Sequence, residues 1–372
     1  MQGPGAPARA YRAAVRLEDF DYTLPEEAIA QRPVEPRDAA RMLVHRAGED
    51  ATEHLRVRDL EQHLRAGDLL VVNDTRVRPA RVHAARPSGG RVELLFLEPL
   101  ADGAWRALVR PGKKQREGAR LTVAPGVEVE LEARERTADG EPAATWRVRW
   151  RAAAGAPGLL PDEDLLEAHG EVPLPPYIQR GPEAGDRERY QTVYARESGS
   201  VAAPTAGLHL TPELLARLEA RGVERAAVTL HVGLGTFAPV QAGDPREHSM
   251  HAEVYHLPEA TAAAVARTRE RGGRVVCVGT TSARVLESCA RSGGLVEAGA
   301  GETRLFLHPE NPPRVLDGLL TNFHLPRTTL LMLVASFIGT ERTLRLYREA
   351  LAEGYRFFSY GDAMLLFGTR RS

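Results

Sequence analysis

The chain has 372 residues and a mass of 40.6 kDa, about twice the usual size of one domain, so its length predicts two domains or one domain with an insertion. A hydrophobic fraction of 43% beside 27% charged residues excludes a largely disordered chain, and the net charge of −1 indicates no partner. Two cysteines, Cys277 and Cys289, exclude a disulfide scaffold and match no zinc spacing, which favours a cytoplasmic protein.

The N-terminal part of the chain carries few structural signals. Residues 1–16 mix Pro, Gly, Ala and Arg without an apolar stretch, so we expect a flexible extension and no signal peptide. Pro25, followed by two glutamates, predicts a helix over residues 24–32 that Pro33 ends. The longest apolar run, residues 330–339, is too short to span a bilayer, so we expect no membrane segment.

Short strand-like runs at hairpin spacing begin near residue 67. They are mostly separated by Gly, Pro or Asp and cover residues 69–72, 80–84, 92–97, 105–109, 121–123, 127–132 and 145–150. Strands this short and evenly spaced predict a small barrel or sandwich. We assign residues 66–152 to an inserted small all-β barrel domain.

Helices and strands alternate after residue 157. Thr211 as N-cap, Pro212 and the C-terminal Gly222 frame one helix, and residues 223–232 form a strand. A helix over 258–271, a buried strand over 274–278 and a helix over 282–291 continue the alternation. The predicted fold class is therefore α/β, a mixed sheet with flanking helices that carries the inserted barrel. Its α/β domain spans residues 17–65 and 153–372.

Basic residues concentrate in the insertion. Twelve basic and six acidic side chains lie between Arg65 and Arg120, with Lys113, Lys114 and Arg116 closest together. Such a surplus is typical of a nucleic-acid-binding face, and it also suits a merely solvated barrel surface. Both interpretations stay open at this stage.

Two small-residue segments follow predicted strands. A G-x-G-x-x-A run at residues 233–238 resembles a dinucleotide fingerprint, but Pro239 disfavours the helix that this motif needs, so a tight glycine loop is the simpler interpretation. The Gly-Thr-Thr-Ser segment at 279–282 lies between a strand and a helix. Its amides and hydroxyls can hold an anion there, whereas ordinary capping by Ser282 explains the same letters.

Polar residues stand out at three further places. His248, His251 and Glu253 are close in sequence, but they match no H-E-x-x-H helix, so hydrogen-bonding, proton-transfer or structural histidines are favoured over a metal site. Residues 321–324 and 359–362 interrupt apolar sequence. They suit either the lining of a cleft or turns.

As a set, several ordered blocks resemble the S-adenosylmethionine:tRNA ribosyltransferase-isomerases of the queuosine pathway. The blocks are NDTRV at 73–77, PPYI at 175–178, RYQTVY at 189–194, VAAPTAGLH at 201–209, HVGLGTF at 231–237, GTTSARVLES at 279–288, LLTNFHLP at 319–326 and FFSYGDAML at 357–365. The resemblance covers about residues 17–367. Residues 308–313, Val254 and Leu210 depart from the family pattern, while the polar blocks remain whole.

The resemblance implies an enzyme that transfers and isomerises the ribosyl moiety of S-adenosylmethionine. The acceptor is the aminomethyl group of 7-aminomethyl-7-deazaguanine at the tRNA wobble position, and the products are epoxyqueuosine-tRNA, adenine and methionine. S-adenosylmethionine is then a co-substrate, with no prosthetic group and no metal. The implied partner is a tRNA with the modified base in its anticodon loop, and we expect a monomer. The family fold, an α/β domain bearing a β-barrel, agrees with the pattern of predicted strands.

The implied chemistry assigns roles to particular residues. A sulfonium acidifies the neighbouring ribose C5′ protons, so the reaction needs a base near that carbon. We expect His209 and His231 to transfer protons, with Asp362 orienting one of them or accepting the proton. Co-substrate binding is expected of Thr205, Gly207, Gly233, Thr236, Phe237, Tyr255, Thr280, Thr281, Ser282, Arg284 and Tyr360. Base recognition is expected of Asp74, Glu253, Asn322 and His324, and contact with tRNA phosphates of Arg76, Arg78, Lys113, Lys114 and Arg116.

Three other functions stay open on the sequence alone. The charge of the insertion suffices for a non-catalytic RNA-binding module, although such a module leaves the polar blocks of the α/β domain unexplained. His248 and His251 suit a metal-dependent hydrolase. An S-adenosylmethionine-dependent methyltransferase is the last alternative, and it differs in releasing S-adenosylhomocysteine in place of adenine and methionine.

Overall fold

The computed structural model describes residues 16–137, 139–156, 158–233 and 250–368, apart from the side chain of Lys114. The strands are β1 (Arg41–Arg46), β2 (Thr52–Arg56), β3 (Leu69–Asn73), β4 (Thr75–Val77), β5 (Arg81–Ala85), β6 (Arg91–Pro99), β7 (Trp105–Arg110), β8 (Ala119–Ala124), β9 (Val127–Arg136), β10 (Pro142–Ala152), β11 (Gly170–Glu171), β12 (Glu197–Ser200), β13 (Glu224–Leu230), β14 (Glu253–Leu257), β15 (Val275–Val278), β16 (Gly299–Thr303), β17 (Gly318–Asn322) and β18 (Ala363–Phe367). The α-helices are α1 (Asp162–His169), α2 (Asp186–Arg189), α3 (Pro212–Ala220), α4 (Glu259–Glu270), α5 (Gly279–Ser288), α6 (Thr329–Ile338) and α7 (Thr340–Ala352).

Within the described residues, nine strands form a mixed sheet in the order β16-β14-β13-β3-β15-β17-β18-β1-β2. Its central strands β13, β3, β15 and β17 are parallel, and β18 runs antiparallel to β17. Alternate residues of β3 face opposite layers: Leu70 and Val72 pack with α3, and Leu69 and Val71 pack with α4 and α5. Because helices cover both faces, these strands are continuous apolar runs.

Parallel pairing brings the carboxyl ends of the central strands to one edge of the sheet. β3 ends at Asn73, β13 is followed by His231, β15 by Gly279, and β17 ends at Asn322. The antiparallel β18 starts at the same edge, since Ala363 pairs with Asn322. Ligand sites of open α/β sheets form at such an edge.

Six antiparallel strands form the insertion, in the order β5-β6-β7-β10-β9-β8, and pairing of β5 with β8 closes them into a barrel. Aromatic side chains fill its interior, with Phe96 stacked on Trp150 at a centroid distance of 4.9 Å. The indole of Trp105 donates to Asp162 of α1 at 2.7 Å and so ties the barrel to the α/β domain. The predicted α/β fold with an inserted all-β barrel is confirmed.

Two local predictions differ from the structure. The prediction placed residues 69–72 in the barrel, whereas β3 pairs with β13 and β15 in the large sheet, as its fully apolar run would suggest. The predicted helix over 24–32 shrinks to a 3-10 turn at Glu26–Ala28. Backbone hydrogen bonds between Ala28, Ala30 and Phe357 hold the segment that follows in an extended form.

Most other predicted elements are confirmed. The barrel strands from β5 to β10 lie where the hairpin spacing predicts them, and α4 and β15 match the predicted helix and buried strand. Among the described residues, no helix combines the length and the apolar character needed to cross a membrane.

The predicted cap of α3 gives a test of this local structure. The Thr211 hydroxyl accepts a hydrogen bond from the Leu214 N–H at 3.1 Å. We expect Thr211→Ala to lower the free energy of unfolding by about 1 kcal/mol, because a donor of the first helical turn loses its partner. Urea unfolding measures the change, with Thr211→Ser as the control that keeps the hydroxyl. Equal stability of the alanine variant and the wild type would contradict the capping role.

Candidate active site

The edge of converging strand ends borders a cavity of about 460 Å³. That volume lies in the range of small-molecule sites. Five residues that the sequence assigns to the site line it: Thr205, Thr280, Thr281, Asn322 and His324. The rest of the described wall is mainly apolar, and it contains no Asp, Glu, Lys or Arg.

Helix α5 starts at the cavity, directly after β15. Gly279 has a φ of +86°, a conformation that favours glycine, and it lines the wall together with Thr280 and Thr281. The Thr281 hydroxyl is buried and has no hydrogen-bond partner among the described residues. The first amides of a helix lack internal partners and lie at the positive end of its dipole, so this corner is suited to bind an anion.

Ser282 was predicted either to cap a helix or to bind the co-substrate, and the structure shows it in neither position. It lies inside α5, which starts at Gly279, and its hydroxyl donates to the Val278 carbonyl at 2.9 Å. The interpretation of Ser282 as an N-cap is therefore wrong. Its side chain is fully buried in the helix and does not line the cavity.

Asn322 is the polar centre of the wall. Its Oδ1 accepts from the Thr205 hydroxyl, and its Nδ2 donates to the Phe358 carbonyl and to Nε2 of His209, each at 3.1 Å. An amide NH₂ only donates, so His209 is the acceptor and its Nε2 carries no proton. Burial lowers the pKa of His209 to about 4, so the ring is neutral near pH 7. His209 therefore reaches the cavity only through Asn322.

Phe358 contributes to the wall in an unusual backbone conformation. Its φ is +72°, which is costly for an aromatic residue, and its carbonyl accepts from Asn322 and from the Gly361 N–H at 2.9 Å. Its ring meets that of Tyr177 edge-on, at a centroid distance of 4.1 Å. These contacts hold an aromatic corner at the cavity.

His324 also lines the cavity. Its Nε2 lies 2.9 Å from the Thr321 hydroxyl, and its backbone N–H donates to the Tyr347 hydroxyl at 3.1 Å. Burial lowers the pKa of His324 to about 3. The cavity wall thus holds a neutral imidazole whose Nδ1 makes no hydrogen bond to the described residues.

The other predicted catalytic histidine lies in a separate cluster at the ends of β3 and β13. Nδ1 of His231 is 2.8 Å from the Thr75 hydroxyl, and burial lowers the pKa of His231. Gly199 makes room for this ring, because a Cβ there would lie 2.5 Å from it. Beside it, buried Asp74 accepts from the Thr229 hydroxyl at 2.7 Å and pairs with the exposed Arg196 at 2.9 Å.

Arg284 of α5 and Glu253 of β14 form a buried ion pair. Arg284 also donates to the Leu305 carbonyl at 3.2 Å, and Glu253 accepts from the Gly233 N–H at 3.4 Å. Neither side chain lines the cavity. Tyr255 is half-buried and packs against the sheet core on the side of α4 and α5.

Three predicted or candidate residues lie outside the described part of the chain: Thr236, Phe237 and His248. Within the described residues, no three His, Cys, Asp or Glu side chains lie close enough together to hold a metal ion.

Asp362 and Tyr360 do not line the cavity. Asp362 is buried and accepts from the backbone N–H groups of Arg41 and Arg356, at 3.0 and 2.8 Å. Its charge raises the pKa of His209 against the larger effect of burial. Tyr360 donates to Asp186 at 3.2 Å, and with His209 it borders a second cavity of only about 20 Å³.

The remaining predicted residues serve packing or lie at the surface. A Cβ on Gly207 would lie 2.1 Å from the Tyr194 hydroxyl, so glycine is required there by close packing. Arg78 pairs with Glu163 at 2.9 Å and covers the Trp105 ring at 5.4 Å. Arg76, Lys113 and Arg116 are exposed, and nothing is described of the Lys114 side chain.

The sequence interpretation missed two aromatic residues of the wall, Tyr177 and Phe358. Phe323 and Ser359 also line the cavity, and they belong to residues 321–324 and 359–362, for which the sequence left a cleft lining open. Each lies inside one of the recognised sequence blocks, so the blocks contained the signal. Aromatic residues in apolar sequence look like core positions, and the left-handed backbone of Phe358 is visible only in the structure.

The buried histidines predict a pH dependence of stability. Burial lowers the pKa of His209 to about 4, from 6.5 in an unfolded chain. Below pH 6.5 the unfolded state binds a proton that the folded state does not. The free energy of unfolding should therefore fall as the pH drops from about 6.5 to 4, by up to roughly 1.4 kcal/mol per pH unit for one histidine.

Urea unfolding across that interval tests this, with His209→Asn as the variant that cannot titrate. The expected result is a shallower pH dependence for the variant than for the wild type. Parallel curves for the two proteins would show that His209 is not buried as a neutral ring.

Comparison with known proteins gives one consistent family. Residues 17–366 match the family model described as "Queuosine biosynthesis protein". An S-adenosylmethionine:tRNA ribosyltransferase-isomerase of Anaeromyxobacter sp. (strain Fw109-5) is 55% identical over 95% of this chain and 99% of its own length, and one of Thermus thermophilus is 54% identical over 94% and 99%. The crystal structure of S-adenosylmethionine tRNA ribosyltransferase from Thermotoga maritima is similar, with a TM-score of 0.53 and 38% identity over 94% of this chain and all of that one. The chain therefore belongs to the S-adenosylmethionine:tRNA ribosyltransferase-isomerases, the transferase and isomerase enzymes of queuosine biosynthesis.

Proposed function

We propose that this enzyme moves the ribosyl moiety of S-adenosylmethionine to the aminomethyl group of 7-aminomethyl-7-deazaguanine at the tRNA wobble position. The products are epoxyqueuosine-tRNA, adenine and methionine. The observation that carries this proposal is the cavity of about 460 Å³, which combines a helix N-terminus, an unpartnered Thr281 hydroxyl and an aromatic corner. The names of similar proteins, S-adenosylmethionine:tRNA ribosyltransferase-isomerases, support the ribosyl transfer from S-adenosylmethionine to tRNA.

The cavity suits both charged ends of the co-substrate. The methionine carboxylate would lie at the start of α5 and accept from the amides and hydroxyls of Thr280 and Thr281. The sulfonium would lie against the rings of Tyr177 and Phe358, which attract a cation through their π faces. Because no acidic side chain lines the described wall, the sulfonium charge is not neutralised by a carboxylate there.

Proton abstraction from ribose C5′ is assigned by position in the cavity. His209 is one hydrogen bond away, behind Asn322, and His231 lies beside Thr75 and Gly199. We therefore assign removal of the C5′ proton to Nδ1 of His324, a residue of the cavity wall. His209 is given a positioning role. The electron pair stays on C5′ beside the positive sulfur. Transfer to a neutral imidazole moves one positive charge from the co-substrate to the ring and separates no new pair of charges.

Recognition of the modified base is assigned to Asn322. Its Oδ1 uses one lone pair for the Thr205 hydroxyl, which leaves a second for an N–H donor of the base. Asp74 and Glu253, the other predicted readers, are each held in an ion pair. His209, Thr205 and Phe358 fix the amide so that the oxygen cannot exchange places with the nitrogen.

The tRNA must present its wobble base outside the base stack to reach this cavity. An anticodon loop meets that need at lower cost than a duplex does. Exposed Arg76, on β4 beside the β12 strand, is placed to hold a neighbouring phosphate at the junction of the barrel and the large sheet. Arg78 braces the same junction through Glu163 and Trp105.

A product assay tests the proposed reaction. Incubation with S-adenosylmethionine and tRNA that carries the 7-aminomethyl-deazaguanine should release adenine and methionine and enlarge the wobble nucleoside by the ribosyl unit, as detected by mass spectrometry. Release of S-adenosylhomocysteine would indicate a methyltransferase instead. A tRNA with unmodified guanine at the wobble position is the control, and it should give no adenine.

The anion corner at α5 predicts a specific binding defect. Thr281→Val removes the unpartnered hydroxyl at nearly constant volume, so the methionine carboxylate loses a charge-assisted hydrogen bond. We expect the KM for S-adenosylmethionine to rise roughly tenfold to a hundredfold with the KM for tRNA unchanged. Thr281→Ser should behave as wild type. A valine variant with an unaltered KM for S-adenosylmethionine would move the carboxylate site elsewhere.

A further inference from the structure

Two groups of charged residues on the barrel differ in how their charge is neutralised. Along the flank formed by β7, β9 and β10, arginines alternate with carboxylates in a ladder of ion pairs. Its pairs are Arg106 with Glu98 and Glu135, Arg147 and Arg149 with Asp102 and Glu132, and Arg151 with Glu130 and Glu132. This flank neutralises its own charge and leaves little for a partner.

The second group lies at one end of the barrel and is not neutralised. Arg91, Arg110, Lys113 and Arg116 are exposed, and within the described residues none of them forms an ion pair. We call these four residues the distal rim. They come from the start of β6, the end of β7, the 3-10 turn Gly112–Lys114 and the loop before β8.

Two carboxylates near the distal rim interact with groups outside it. Glu93 lies opposite Arg110 in the β6–β7 register, yet its carboxylate is 3.8 Å from Arg81. Glu117 follows Arg116 and accepts from the backbone N–H of Arg134 at 3.0 Å. The rim therefore keeps a surplus of positive charge at the surface. Clustered like charges repel, so the cluster adds nothing to the stability of the fold, and it suits an anionic partner.

The rim is far from the junction with the α/β domain. β7 starts at Trp105, which contacts Arg78 and Asp162 at that junction, and ends at Arg110 in the rim. Five residues of strand separate the two points by about 17 Å. β6 runs antiparallel to β7, so its first residue, Arg91, lies at the same distal end.

This distance decides which part of an RNA the rim can meet. Successive phosphates of one strand advance by about 3.4 Å along the axis of a DNA duplex, and an RNA stem has a rise of the same order, so 17 Å corresponds to roughly five nucleotides or slightly more. A wobble base in the cavity, with its adjacent phosphates at the junction, leaves the rim beside nucleotides in the paired stem. Lysine and arginine side chains at the surface of a barrel bind such phosphates without reading sequence.

We infer that the distal rim is a second RNA contact, which holds phosphates of the base-paired stem of the tRNA's anticodon arm while the wobble nucleotide occupies the cavity. The inference rests on the proposed function, because it takes the tRNA as the partner. It separates two contacts: Arg76 on β4, proposed to lie near the reacting base, and the rim, which is about 17 Å along the barrel from Trp105 at the junction. The ion-paired flank faces solvent.

The test combines three substitutions, Arg110→Gln, Lys113→Gln and Arg116→Gln. A charge-matched control carries Arg217→Gln, Arg267→Gln and Arg345→Gln on α3, α4 and α7, where the side chains are 44%, 44% and 45% exposed. Both triple variants lose the same charge. Affinity for full-length tRNA is measured across salt concentrations, together with the kinetics of adenine release. The same measurements use a short hairpin with the anticodon stem and loop, and a single-stranded loop RNA without the stem.

The rim variant should bind tRNA and the hairpin roughly tenfold or more weakly at moderate salt. Its slope of log affinity against log salt should be smaller by about 2 to 3, because three phosphate contacts are lost. The kcat at saturating tRNA and the KM for S-adenosylmethionine should match wild type, as should binding of the single-stranded loop RNA. The control variant should keep the tRNA affinity and the salt slope.

Equal tRNA affinity and salt slope in the rim and control variants would overturn the inference. An equal loss of affinity for the hairpin and the single-stranded loop would also overturn it, because the rim would then contact the loop. If instead the wild-type enzyme released no adenine with the modified tRNA, the proposed function would fail, whatever the rim variant did. Circular dichroism of both variants checks that they are folded.

Discussion

Parallel pairing of β15 with β3 and β17 is the constraint on which the rest of the site depends. It sets the carboxyl ends of these strands at one edge of the sheet. There the backbone leaves the sheet, and its N–H and C=O groups no longer pair with a neighbouring strand. At that edge α5 begins with unpaired amides and Asn322 ends β17. The barrel strands follow β3 after its end at this edge, and Trp105 ties the barrel to Asp162 of α1.

In the described part of the chain, no formally charged side chain lines the cavity. Its polar groups are hydroxyls, an amide, helix amides and a neutral imidazole, and burial rather than a neighbouring ion lowers the pKa of His324 to about 3. Buried ion pairs such as Arg284 with Glu253 lie outside the wall and fix the framework. A sulfonium bound as proposed would be stabilised by the ring faces and dipoles of the described wall, a condition that suits the removal of a neighbouring proton.

The sequence predicted the fold class, the barrel strands and five residues of the cavity wall, because hydrophobic spacing, turn residues and helix caps are local signals. It mistook β3 for a barrel strand, since chain order cannot show that an apolar run beside the insertion pairs with β15. The positions of His231 and Arg284 also depended on long-range packing. Gly199 makes room for the His231 ring, and Glu253 pairs with Arg284. Phe358 was missed because its left-handed backbone has no sequence signature.

The central claim is that the start of α5 and the aromatic corner together bind S-adenosylmethionine. The most direct measurement is a crystal structure of the enzyme soaked with S-adenosylmethionine. The methionine carboxylate should lie within about 3 Å of the Thr280 and Thr281 N–H groups, with the sulfur against Tyr177 and Phe358. Density for the co-substrate beside His231 or Asp74, with the cavity at α5 empty, would contradict it.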